Sequence, residues 1–299
     1  MYDLIGLLKL LIKPINYPVT LVLFLNTSLG AVSTLMLGGK MDWMSWCISI
    51  AILLVSILLV TMKWFNKLLF LLMRKEGPYA AVSETKYHER LTPIFADAVQ
   101  RARSVTPNIR TDIELYIVEN EEPIIKSSGS NIIYATTGAI EILDDEELGS
   151  FFARECGHIG NRDFEITVLL LVSGIPNIIA LLIWKITDLF CKAIPRITGD
   201  GVGVLAGMAM RILSFIGFIP FFLWILFIYL LNVYSLRQKE LSADAFSVCL
   251  GYAAAMESGL PKLYGKQPSL LYRLLGFMPS VEKRMQNIQN IVNATPVAN

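Results

Sequence analysis

Four long runs of the chain carry no charged residue, and the stretches between them place apolar residues at helix or strand spacing. Val19 to Leu37 and Trp43 to Met62 are each long enough for a transmembrane helix, and the short link Gly38–Asp42 makes them a hairpin. Ile166 to Trp184 is a third run, with a kink predicted at Pro176. Ile212 to Leu236 is a fourth. Lys9 and Lys13 precede the first hairpin, and Lys63, Lys67, Arg74 and Lys75 follow it. That bias puts both flanks in the cytoplasm, with Trp64 and Phe65 at the interface. Lys185, Lys192, Arg196 and Arg211 join the third and fourth runs. So basic a connection leaves two readings open, two full spans or a shallow re-entrant hairpin.

Between the second and third runs the pattern becomes that of a folded soluble segment. Leu91, Phe95, Ala98, Val99 and Ala102 recur at helical spacing, predicting an amphipathic helix near 85–103, with Thr92-Pro93 read as its N-cap and first turn. Ile113 to Val118 alternates like a half-buried strand. Pro123-Ile124-Ile125 and Asn131 to Ala135 read as two further strands, separated by a turn at Ser127-Ser128-Gly129-Ser130. Thr137 to Leu143 suits a short helix. Asp144 to Glu147 are acidic, as the N-terminus of a following helix favours, and Leu148, Phe151, Phe152 and Ile159 supply its buried face. Beyond the fourth run, Leu236 to Phe246 reads as a helix with Glu240 and Asp244 one turn apart. Ala253–Gly265 and Val281–Val292 suggest two more.

Composition agrees with a membrane chain. Of 299 residues 54% are hydrophobic and only 17% charged, too apolar for an ordinary soluble domain. A net charge of +1 gives no field that would favour nucleic acid. Cys47, Cys156, Cys191 and Cys249 form no C-x-x-C pair, and a disulfide framework is not expected. His88 and His158 are the only histidines, so counting excludes a three-His metal site. The apolar runs lack the mid-membrane charges of a transporter or channel.

The candidate chemistry sits in the helix that ends near Asp163. Ala153-Arg154-Glu155-Cys156-Gly157-His158 nearly spells the zinc-peptidase motif H-E-x-x-H, in which two His one turn apart hold a metal and the Glu takes a proton from its water. Glu155 and His158 stand where that motif needs them. Arg154 stands at the first His position and offers no lone pair to a metal. Isolated, E-x-x-H is a weak pattern. His88 reads better as a surface helix residue than as a replacement ligand, and Cys156 as a small buried residue.

The order of features is more specific. Two N-terminal spans, a small α/β segment, E-x-x-H-x-x-x-x-D, two more apolar segments, E-x-x-x-D at Glu240–Asp244 and P-S-x-x-K-R at Pro279–Arg284 resemble the HtpX-type membrane zinc metallopeptidases, relatives of the CAAX prenyl proteases. The resemblance covers nearly the whole chain. It implies a mostly α membrane protein with a small α/β zincin-like peptidase domain. Residues 1–75 would form a membrane hairpin, 76–165 the first half of the zincin-like domain, 166–236 a second membrane hairpin, and 237–299 the helical second half. It also implies Glu155 as general base, His158 and Glu240 as zinc ligands, and Asp244 as a carboxylate steadying a ligand. The chain departs from that pattern at Arg154, in the first ligand position, and at Met278, where the family often has His.

The departure at Arg154 sets the functional expectation. His158 and Glu240 alone are too few for a catalytic zinc, which takes three protein ligands. At about 4 Å the repulsion between a guanidinium and a divalent ion is about 8 kcal/mol for an effective dielectric of roughly 20. Arg154 is therefore expected to replace the metal and pair with Glu240 or Asp244, leaving zinc absent or weakly bound. The first reading is a catalytically silent peptidase homologue of the membrane (the inner membrane, if the source is bacterial), with its peptidase-like domain facing the cytoplasm. It would contact lipid and keep a peptide-binding or regulatory role, holding peptides or membrane-protein segments along a sheet edge near Pro123, Ile124 and Ile125. The alternative is a working zinc metalloendopeptidase that cleaves membrane proteins through a further, unidentified ligand.

Overall fold

The structure is a computed structural model. It describes residues 79–107, 109–129, 131–174, 201–265 and 278–294, with isolated positions between 16 and 51 and between 182 and 193. The chain divides into two compact units, one of 1–17, 56–168 and 233–299, the other of 18–55 and 169–232.

Among the described residues the first unit holds a four-stranded sheet. Its strands are β1 (Tyr79–Ala81), β2 (Glu114–Val118), β3 (Ile125–Ser128) and β4 (Ile132–Thr136), in the order β1-β2-β4-β3. β2 and β4 run parallel; β1 and β3 are antiparallel edge strands. Alternation sorts the side chains. Leu115, Ile117, Ile125, Ile133 and Ala135 join the main core, while Tyr116 and Ile132 sit on the other face with Tyr79 and Tyr134. The strand expected at 123–125 begins only at Ile125, and the expected turn serines Ser127 and Ser128 belong to it. Pairing with Ile133 and Ile132 outweighs their turn preference.

Helix α1 (His88–Val105) starts a turn before Thr92-Pro93, so Pro93 lies inside it. Fully buried Leu91 anchors that first turn to the core, and the Thr92 hydroxyl meets His88 Nδ1 at 3.0 Å. Thr136 ends β4 and caps α2 (Thr137–Ile142), its hydroxyl accepting the Ala139 N–H. α3 (Asp145–Gly160) opens on a capping box: Asp144 accepts from the Glu147 N–H while Glu147 reaches back to the Asp144 N–H. α3 is buried along most of its length and packs on α1 and β3. α6 (Ala253–Tyr264) packs on α3 and on α7 (Val281–Ala294).

α4 (Asp163–Ser173) begins the third apolar run, and α5 (Gly201–Cys249) takes in the whole fourth run and the Glu240–Asp244 stretch beyond it. The expected separate helix after Leu236 is thus the end of one continuous 49-residue helix. The first two runs lie almost wholly outside the described residues, and so does the third beyond Gly174. Among the described residues no helix is long and apolar enough to cross a membrane; several α5 side chains between 202 and 221 are outside that description. Large apolar side chains on α5, among them Leu205, Phe215 and Leu223, are exposed. α3 and α5 touch closely at Gly157, where a Cβ would lie 2.9 Å from the Phe246 ring. That contact brings the charged faces of the two helices together.

Candidate active site

Spacing builds the site from four elements. Arg154 and His158, four apart on α3, share a face, as do Glu240 and Asp244 on α5. Asp163 stands at the first position of α4. Arg284 lies in the first turns of α7, whose start is set by Ser280, its hydroxyl accepting the Lys283 N–H.

Arg154 is 2% exposed and lies at the centre. Its Nε donates to Asp244 Oδ1 at 3.0 Å, its Nη1 to Glu155 Oε1 and its Nη2 to Glu240 Oε2. Asp244 is wholly buried and also accepts from Arg284, Nε to Oδ2 at 2.7 Å and Nη2 to Oδ1 at 2.6 Å. Arg284 in turn lies 4.7 Å over the Tyr264 ring. His158 Nδ1 is 2.7 Å from Asp163 Oδ2, and its Nε2 is 3.9 Å from Glu240 Oε1. Lys239 Nζ stands 3.3 Å from Asp163 Oδ1, an ion pair without hydrogen-bond geometry. The second oxygen of Glu155 accepts the backbone N–H of Ser127 at 2.6 Å.

The charges in this network nearly balance. Burial works against every one of them, and neighbours decide the outcome. Asp244 is held below the usual carboxylate range against its burial, by Arg284 and Arg154. Glu240 is held down likewise by Arg154, His158 and Arg284, and Asp163 by His158 and Lys239. Burial opposes a charge on His158, but the Asp163 hydrogen bond and the carboxylates of Glu155 and Glu240 lift its pKa above the ordinary value. Burial prevails only at Lys239, whose pKa falls despite Asp163.

The residues present do not fit a catalytic zinc. Such a site needs three protein ligands and an open position. Here the donors expected from the motif are His158 Nε2 and the Glu240 carboxylate, and the Arg154 guanidinium, a permanent cation with no lone pair, is bonded to Glu240. Among the described residues no group of three or more His, Cys, Asp or Glu is placed to hold a metal ion. Neither alternative ligand joins the site. Cys156 packs in the apolar core, where burial, with some help from Glu155, pushes its thiol up to about 12. His88 is exposed at the start of α1.

The structure thus brings Arg154, Glu155, His158, Glu240 and Asp244 together. Of the residues expected at the sheet edge, Ile125 is buried in β3, while Pro123 and Ile124 precede the strand and line a cleft of about 710 Å3 beside it. Sequence reasoning assigned no role to Arg284, Asp163 or Lys239. Arg284 ends P-S-x-x-K-R, Asp163 ends the E-x-x-H-x-x-x-x-D run, and Lys239 adjoins Glu240, so each lies within or next to a motif already singled out. The Ser127 amide carried no signal, because a backbone donor is chosen by register.

A helix carrying E-x-x-H, packed on a small mixed sheet and met by a second helix carrying E-x-x-x-D, is the frame of a metallopeptidase domain. Residues 126–292 match Peptidase family M48, and the chain belongs to that family. It is similar to the Protease HtpX homolog of Tropheryma whipplei (strain Twist), 29% identical over 216 residues that cover 66% of this chain and 69% of that protein. It is also similar to the Protease HtpX homolog of Neisseria meningitidis serogroup C / serotype 2a (strain FAM18), 27% identical over 168 residues, 54% of this chain and 56% of that one. The crystal structure of S. mikatae Ste24p overlays on 88% of this chain and 61% of its own, at 12% identity and a TM-score of 0.45.

Proposed function

We propose that this chain is a membrane-integrated, catalytically silent member of family M48 that keeps a peptide-binding cleft. One observation carries the reading: Arg154, at the first position of the near H-E-x-x-H stretch, bonds Glu155, Glu240 and Asp244 together. The family's proton acceptor and its third ligand are both committed to a fixed cation. Buried carboxylates need a counter-charge. Arg154 supplies it with one planar, permanently charged group.

The remaining parts favour binding. β3 is an edge strand, and the cleft beside it is walled on its other side by Lys262, Tyr264 and Arg284. An extended segment of a membrane protein can add to such an edge by main-chain hydrogen bonds. Membrane integration is supported by the charge-free runs and the exposed apolar side chains of α5.

The test is bound zinc per chain, with peptide hydrolysis, on detergent-purified protein and on Arg154→His. No zinc and no hydrolysis in the wild-type protein, with zinc bound by the His variant, is the expected result. Near-stoichiometric zinc with hydrolysis in the wild type overturns the silent reading in favour of a working metalloendopeptidase.

A further inference from the structure

The register of β3 fixes which of its backbone groups face the open side. Thr136 N donates to Ile124 O at 3.0 Å, so residue 124, and by alternation Lys126 and Ser128, turn their backbone groups toward β4. Ile125 and Ser127 turn theirs outward. The outward N–H of Ser127 is already used: it donates to Glu155 Oε2. A peptide lying antiparallel along this edge would place a carbonyl oxygen at that same N–H.

We propose that Glu155 acts as a latch on the sheet edge: its carboxylate occupies the position of a bound peptide's carbonyl, and a peptide must displace it to dock. The inference rests on the peptide-binding reading above and adds how that binding is controlled. The bond to be displaced is charge-assisted and therefore stronger than a neutral one. Its release strands no charge. The other Glu155 oxygen stays on Arg154, which also keeps Glu240 and Asp244. The carboxylate can thus swing off the strand while remaining in the ion network. In this reading the residue that would activate water in a working relative here guards the cleft.

The test has two arms on full-length protein in detergent. In the first, a fluorescein-labelled octapeptide of alternating Val and Thr is titrated into wild type and Glu155→Ala. Removing a hydrogen bond to a charged group that must otherwise be broken is expected to tighten binding about tenfold or more. Glu155→Gln, which keeps the shape but not the charge, is expected to fall between. In the second arm, hydrogen exchange of the Ser127 amide is followed without peptide. It is expected to be slow in wild type and at least about tenfold faster in Glu155→Ala, with the β4 amides unchanged. Equal peptide affinity in wild type and Glu155→Ala overturns the latch and leaves peptide binding standing. No binding to any variant overturns both. Fast exchange of Ser127 in the wild type overturns the latch whatever the peptide does.

Discussion

In the first half of α3, Leu148, Phe151 and Phe152 fill the core, and Phe152 meets Phe95 edge to face at 5.5 Å. In the second half, one turn on, equally buried positions hold Arg154 and Glu155. The first half is fixed mainly by non-directional packing and a local cap, with one long-range ion pair from buried Glu147 to Lys262 of α6. The second is fixed by directed bonds to α5 and, through Asp244, to α7, elements far away in sequence. Equal burial hides this difference. An apolar side chain needs only a cavity of its shape, whereas a buried charge needs its partners in place before it is tolerable. The second half of α3 thus depends on the rest of the unit being already assembled.

Paired substitutions separate the two halves. Arg154→Ala leaves Glu155, Glu240 and Asp244 short of a counter-charge and is expected to cost about 3–5 kcal/mol. Phe152→Ala is expected to cost a similar 3–5 kcal/mol through a cavity. Thermal unfolding in detergent across pH tells them apart. In the folded protein Asp244, Glu240 and Asp163 have lowered pKa values. Their stabilisation is present above the ordinary carboxylate range, about 3.8 to 4.5, and is lost as pH falls through the lower folded values. His158 has a raised folded pKa, so its contribution is present below about 6.5 and is lost as pH rises through that raised value. Phe152→Ala should keep this pH profile with a lower midpoint. Arg154→Ala should flatten its acid side, and an unchanged acid limb there would mean the ion network contributes nothing to stability.

Smaller effects belong to the first half. Asp144→Ala removes the capping-box acceptor and is expected to cost about 1 kcal/mol in thermal unfolding at neutral pH. Asp145→Asn breaks an exposed ion pair with Arg90 and is expected to cost under about 1 kcal/mol, less still in high salt. A larger, salt-resistant loss would show that the Arg90–Asp145 pair holds the start of α3 as the pair of buried Glu147 with Lys262 does.

The same contrast explains what could be read from the sequence. The start of α3 was legible because its determinants are local: Asp144 and Glu147 three apart, then Leu148, Phe151 and Phe152 at helical spacing. The Arg154 pairing was legible through charge: an Arg in a buried helix face with candidate carboxylates elsewhere in the motifs leaves few alternatives. The second support of Asp244 was not, because nothing local to Arg284 says which carboxylate it will meet 40 residues back in the chain. Nor was β3, whose serines read as turn residues until β4 supplies their partners. The start of α1 was misplaced for a related reason, since a proline is a local signal and the burial of Leu91 is not.

Gly157 has no charge and makes no hydrogen bond through a side chain, yet it lets α3 and α5 approach closely between Arg154 and His158. With a Cβ there only 2.9 Å from Phe246, even a methyl group would act as a shim between α3 and α5. Such a shim would leave every ionisable group in place and stretch the bonds between them. The strength of the ion cluster is therefore open to mechanical adjustment, at a position with nothing to ionise.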